Sequence, residues 1–243
     1  MRRQLAPVGT ASTYFTREHL RSPLTITLLI ALPAIFVVAS AAVLSSFARA
    51  LGGEVAGRAA TALGAGWSAA FLAGALGFFQ TASSREADYR FARAGFGALR
   101  TASARLAAAF SLTLVVTAAS LLALWFKQPI PHLWHTAVAI LAYAVIYLGI
   151  GTAVGVVIKD ELAGSLAVVF IFMLDVFSGP GMAPEPNGFG KLLTPSRYAG
   201  ELVLRAGAGQ GSPPGDWWQA GLSVVLALGV ALGVFWLAAR RRR

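Results

Sequence analysis

Asp175 is the one carboxylate inside an apolar run of this chain, four residues before Gly179-Pro180-Gly181. An acid in such a run is costly and marks a functional position by default. Its place near the end of the run puts it at the outer boundary of a bilayer, solvated or paired with Arg197 or Lys191. It offers a structural or gating pair there, or a direct contact with substrate. Other chemistry is sparse. His132-x-x-His135 supplies two nitrogens, but a metal site needs a third ligand, so no metal is expected. Gly188-x-Gly190-Lys191 lacks the Gly-x-x-x-x-Gly-Lys-Ser/Thr frame that cradles phosphates, and no cofactor is expected on this chain. No catalytic residues are expected either, because three scattered histidines form no cluster. The densest charge is the stretch from Arg85 to Arg105.

The elements that must position these groups are membrane helices. Hydrophobic residues make up 57% of the 243 residues and charged residues only 12%, where a soluble domain averages about 25% charged. The mean hydropathy is +0.69. A net charge of +10 suits nucleic acid in principle. These charges instead sit at the ends of apolar runs, which excludes that partner in favour of a lipid bilayer. Cysteine is absent, so there is no disulfide framework and no thiolate site.

About 20 apolar residues cross a hydrocarbon core, and six stretches qualify: 24–47, 59–79, 106–126, 135–158, 162–177 and 217–239. The fold class expected is an all-α integral membrane protein of six transmembrane helices in a single transmembrane domain, 1–243. Residues 1–23 form an interfacial segment, 80–105 an inner loop and 178–216 an outer segment. Lys159-Asp160-Glu161 alone separates the fourth and fifth spans, which requires a tight helical hairpin. With both termini inside, 14 of the 20 Lys and Arg residues are cytoplasmic, as the positive-inside rule asks. High Ala, Gly and Arg usage looks like a high-GC bacterial genome, and the location expected is the inner membrane of a bacterium.

Helices in lipid associate through small residues that let backbones approach. Gly151-x-x-x-Gly155 and Gly229-x-x-x-Gly233 supply such faces, and the second span is nearly continuous Ala and Gly. Some of these faces pack within the bundle, and one is available for a dimer. Pro33 should kink the first span. Trp67 lies deep in the second span, as a packing residue or one that lines a cavity.

Arg85, Glu86, Asp88, Tyr89, Arg90, Phe91 and Arg93 predict a short helix, with Ser84 as its cap and the acids in its first turn. Gly95 and Gly97 end it and return the chain to the membrane. A loop that only fixes topology needs neither the acids nor the aromatics, so this helix is expected to dock on another protein. Before the first span, Tyr14, Phe15 and Leu20 alternate with Arg17 and Glu18, which predicts a second amphipathic helix on the inner surface.

Across nearly its whole length the chain resembles a type-2 ABC transporter permease, the membrane subunit of many bacterial exporters. The resemblance runs from Arg21-Ser22-Pro23-Leu24 and the Leu28–Phe36 stretch, through the Arg85-Glu86 loop, to Leu193-Thr194-Pro195-Ser196-Arg197-Tyr198. It implies that residues 85 to about 99 form a coupling helix and that the N-terminal segment is a connecting helix. Both would touch a separate ATPase, which would bind ATP and Mg. Residues 188–205 would form external re-entrant helices. Two permeases, identical or paralogous, and two ATPases would complete an exporter of drugs, antibiotics or lipid-like molecules. Where many relatives carry a Gly-Thr-Leu-Glu-like run after the loop glutamate, this chain has Ala87-Asp88-Tyr89-Arg90.

Two other classes compete. A stand-alone secondary transporter driven by an ion gradient places ionisable groups at the midplane, often within internal repeats; only Asp175 is available, and no repeat stands out. A membrane-embedded enzyme needs clustered acids or histidines, which are missing.

Overall fold

A computed structural model describes residues 2–20, 23–51, 57–91, 95, 97–182 and 194–240. Among these residues every regular element is helical, in the order α1 (Arg2–Leu20), α2 (Pro23–Ala50), α3 (Gly57–Ser83), α4 (Arg85–Phe91), α5 (Ala98–Lys127), α6 (Leu133–Val157), α7 (Glu161–Phe177), α8 (Arg197–Gly207) and α9 (Pro214–Arg240).

Four of them, Gly57–Ser83, Arg100–Lys127, Leu133–Val157 and Pro214–Ala238, are long and apolar enough to cross a membrane. A fifth is α2 if its two halves, Thr27–Ala39 and Ala42–Ala50, count as one span bent by 58°. That bend falls beyond Pro33, the residue expected to cause it. The fifth expected span, 162–177, is a helix of 17 residues. At about 1.5 Å per residue it measures about 25 Å, short of the hydrocarbon thickness of about 30 Å.

Helix α3 is the centre. Of its apolar stretch 78% is buried against other helices, compared with 11% for α9, because its small residues admit neighbours on every side. Its most extensive partner is α6, which runs parallel to it. A Cβ at Gly151 would run into the Gly74 carbonyl, one at Gly77 would lie 2.6 Å from the Leu148 carbonyl oxygen, and one at Gly155 would lie 2.8 Å from that of Phe78. The Gly151/Gly155 face is therefore spent inside the chain. The Gly229/Gly233 face is not: a Cβ at either glycine would meet nothing within 4 Å. Helix α9 instead touches α6 through Ala227, which faces Gly149.

Helix α7 turns back antiparallel to α6. Asp160 caps it, accepting from the Ala163 amide at 2.7 Å, and this capped turn makes the hairpin the Lys159-Asp160-Glu161 break requires. Phe78 of α3 covers Gly164. With 17 residues against 25 in α6, α7 stops about 12 Å short of the start of α6. Helix α8 lies in that part of the bundle, its buried side against the first half of α3 and the Tyr143 ring of α6.

Candidate functional site

Two groups of polar residues stand at opposite ends of the α3–α6 seam. The first gathers on Asp175 in the last turn of α7. Its side chain is 3% exposed. Carboxylate Oδ2 accepts hydrogen bonds from the Tyr147 hydroxyl, at 2.5 Å, and from the Ser196 hydroxyl. Oδ1 is buried with no hydrogen-bond partner. Tyr143, one turn before Tyr147 on α6, points its hydroxyl at Ser196 and the Trp67 indole. Trp67 is buried in the core.

The expectation of a solvated acid is thus corrected, and the described partners of Asp175 are hydroxyls rather than Arg197. Because α7 is short, its end meets α6 at Tyr147, just past the middle of that helix. The turn 178–182 and α8 then close over it. The Arg197 guanidinium, also buried, pairs with Glu201 one turn along α8 at 3.2 Å. Lys191, with Gly188 and Gly190, lies outside the described residues. Sequence reading missed Tyr147, Tyr143 and Ser196. The tyrosines stood in an apolar span and Ser196 in a loop, with no local signal joining them to an acid 21 or more residues away.

The arrangement binds three helices through one carboxylate. Its serine is hydrogen-bonded to a carboxylate and, among the described residues, to no histidine. His132 and His135 pack edge to face, 5.6 Å between centroids, and among the described residues no group of three His, Cys, Asp or Glu forms.

The second group surrounds α4. The last turn of α3 is tied by Ser84 Oγ, which donates to the Gln80 carbonyl at 2.5 Å, and the chain then turns into α4. Glu86 and Arg90 stand one turn apart on its outer face, 2.5 Å between charged atoms and 80% and 76% exposed. Arg85 points the other way. Its Nε donates to the Gly155 carbonyl at 3.1 Å, and Nη2 donates to the carbonyls of Gly155 and Ile158. Carbonyls at a helix C-terminus lack intrahelical donors and carry partial negative charge. Arg85 therefore caps α6 and anchors α4 to it.

Asp88, Tyr89 and Phe91 belong to α4, though their side chains and the whole of Arg93 lie outside the description. Gly95 and Gly97 take φ of 91° and 85°, a region open to glycine at little cost, and α5 begins at Ala98.

Helix α1 packs along α5 at this same end. Phe15 lies under the Arg105 guanidinium, 4.1 Å from its ring centroid. Tyr14 and Arg17 are exposed, and the side chains of Glu18 and Leu20 are not described. Helix α1 runs from Arg2 to Leu20, starting well before the pattern of Tyr14 to Leu20 from which it was expected. No protein-family model and no curated protein matches this sequence.

Proposed function

We propose that the chain is the membrane-spanning permease subunit of an ABC-type exporter, which moves a hydrophobic or amphipathic cargo with ATP hydrolysed on a separate subunit. The observation that supports this reading best is α4: a short helix with an exposed ion pair, held to the bundle by an arginine on its inner side. A helix that only fixed topology would need no such anchor. Force applied to Glu86 and Arg90 would pass through Arg85 into the end of α6. From there it would reach α7 through the 158–160 turn and the Phe78–Gly164 contact.

In this reading α7 counts as the fifth of six spans, completed by the turn and α8, which play the external re-entrant part. Both termini and α4 are cytoplasmic, in the inner membrane of a bacterium. The open faces of α2, α7 and α9 meet lipid and a second permease copy. The cargo path runs between the two copies.

The test is co-purification with ATPase subunits encoded beside this chain, followed by ATP hydrolysis in lipid. Binding to one ATPase, with hydrolysis stimulated by the chain and most of that stimulation lost in Glu86→Ala and Arg90→Ala, is the expected outcome. Failure to associate with any ATPase, or ion-driven transport by the chain alone, would overturn the reading and favour a secondary transporter.

A further inference from the structure

At the end of the bundle that carries α4, the helices α3, α5, α6 and α9 line a cavity of about 10 Å³. Its polar wall includes Gln80 and Thr81 of α3 and Thr152 of α6, and Leu106 and Phe235 stand among its apolar residues. Gln80 is 4% exposed, and its Nε2 has no hydrogen-bond partner within the protein. A buried amide donor left unpaired is destabilising, and an apolar side chain would fill the same place without that penalty. Thr81 and Thr152 donate their hydroxyl protons to the carbonyls of Gly77 and Leu148, at 2.8 and 2.7 Å. Toward anything else their oxygens are acceptors only. Arg105 borders the cavity too, with its guanidinium over the Phe15 ring, 4.1 Å from the centroid.

This wall sorts ligands by charge and by size. An anion would meet two acceptor oxygens, and a metal cation would meet the amide donor. A neutral molecule that accepts one hydrogen bond and donates two meets neither conflict. The volume selects the smallest such molecule, since a water needs about 10–15 Å³ and several polar partners.

We infer that this cavity is a water-binding site, in which one molecule accepts from the Gln80 amide and donates to Thr81 and Thr152, joining α3 to α6. Gln80 is also where α4 begins to be held, because its carbonyl accepts from Ser84. Thr152 lies one turn before Gly155, whose carbonyl accepts from Arg85. The water therefore adds a second link at the level where α4 is anchored to α6. A bridging water is nearly as favourable as a direct hydrogen bond and re-forms after a small shift, so the two helices stay joined there without being locked at one separation. The site depends only on the residues that line it and holds whether or not an ATPase is the partner.

The test is water-edited solid-state NMR on the full chain in lipid bilayers, with the glutamine side chains labelled with nitrogen-15. The Gln80 amide is identified by the signal lost in Gln80→Leu, and Gln210, exposed between α8 and α9, reports contact with bulk water. Both amides should take up magnetisation from water. A gadolinium chelate confined to the aqueous phase should quench most of the transfer to Gln210 and leave that to Gln80 nearly unchanged. Thr152→Val and Thr81→Val, which keep the side-chain shape and remove an acceptor, should each lower the transfer to Gln80, and Thr152→Ser should restore it.

No transfer to Gln80 in the wild-type chain would mean a dry cavity and refute the site. Quenching equal to that of Gln210 would make the cavity an opening to bulk solvent, with the same consequence. Transfer unchanged in both valine variants would overturn the bridge between α3 and α6.

Discussion

The two ends of the α3–α6 seam treat charge in opposite ways. At the α8 end it is taken inside: Asp175 and Arg197 are both buried, each held by neighbours on short, well-defined contacts. On α4, at the other end, it is put outside: Glu86 and Arg90 are exposed, and among the described side chains of that helix Arg85 turns inward. A buried carboxylate with two hydroxyl donors locks the helices it joins, because removing any partner strands another polar group away from water. An exposed pair holds almost nothing in place. One end is built as a clamp and the other as a handle. Substitutions at the two should therefore separate stability from partner-dependent activity.

The contrast rests on the seam that joins the two ends, so the largest effect is expected there. Gly151→Leu forces the α3 and α6 backbones apart and should cost about 3 kcal/mol, the upper range for overpacking. The unfolding midpoint in detergent, followed by circular dichroism, would show it. The matched control is Gly229→Ala, with the same motif on an open face: it should be neutral or stabilising by up to about 1 kcal/mol, since alanine is the better helix former. A Gly229→Ala chain as damaged as Gly151→Leu would mean that α9 packs against something this fold does not contain.

Next in size is the clamp. Asp175→Ala leaves the Tyr147 and Ser196 hydroxyls buried without their acceptor and should cost about 2 kcal/mol, near the scale of two interhelical hydrogen bonds in a membrane. Asp175→Asn keeps an acceptor oxygen and should retain more than half of that. Equal damage from both would show that the negative charge, rather than the hydrogen bonds, holds the clamp.

Arg85 comes third. Arg85→Ala uncovers the Gly155 and Ile158 carbonyls and should cost about 1 kcal/mol. Arg85→Lys, which offers a charge but not the forked donor set, should recover part of it. If Arg85→Ala matched Asp175→Ala, the α4 end would be a second clamp and the contrast would fail.

The smallest stability change belongs to the handle's outer face. Glu86→Ala and Arg90→Ala should each stay within about 0.5 kcal/mol of wild type, while carrying the loss of partner-stimulated hydrolysis proposed above. A large stability loss there would place the pair in the fold instead of at an interface.

Much of this was legible in the residues. Long apolar runs name membrane-length helices because the bilayer thickness sets their length. Positive-φ glycines at 95 and 97 and the capping acid at 160 act locally, so their turns are readable one residue at a time. The clamp was not. Tyr147 reads as one more apolar residue of α6, and Asp175 reads as a boundary acid. What joins them is the eight-residue shortfall of α7 against α6; the apolar stretches already differ by that length, but which residues the shortfall brings together shows only once the two helices lie side by side. Arg85 is similar: it looks like its neighbours Arg90 and Arg93, and its partners lie about 70 residues further along.

Composition and local pattern alone determined that this is a helical chain with several helices of membrane length and a short charged helix between α3 and α5; the structure reduced the six expected spans to four, or five with the bent α2. Those properties follow from hydropathy, backbone hydrogen bonding and turn chemistry, all of which act within a few residues. Tertiary structure alone decided which Gly-x-x-x-Gly face is spent internally, which arginine caps a distant helix and where the lone acid ends up. The same side chain is buried or exposed according to which helix lies beside it, and that depends on how helices of unequal length fit together.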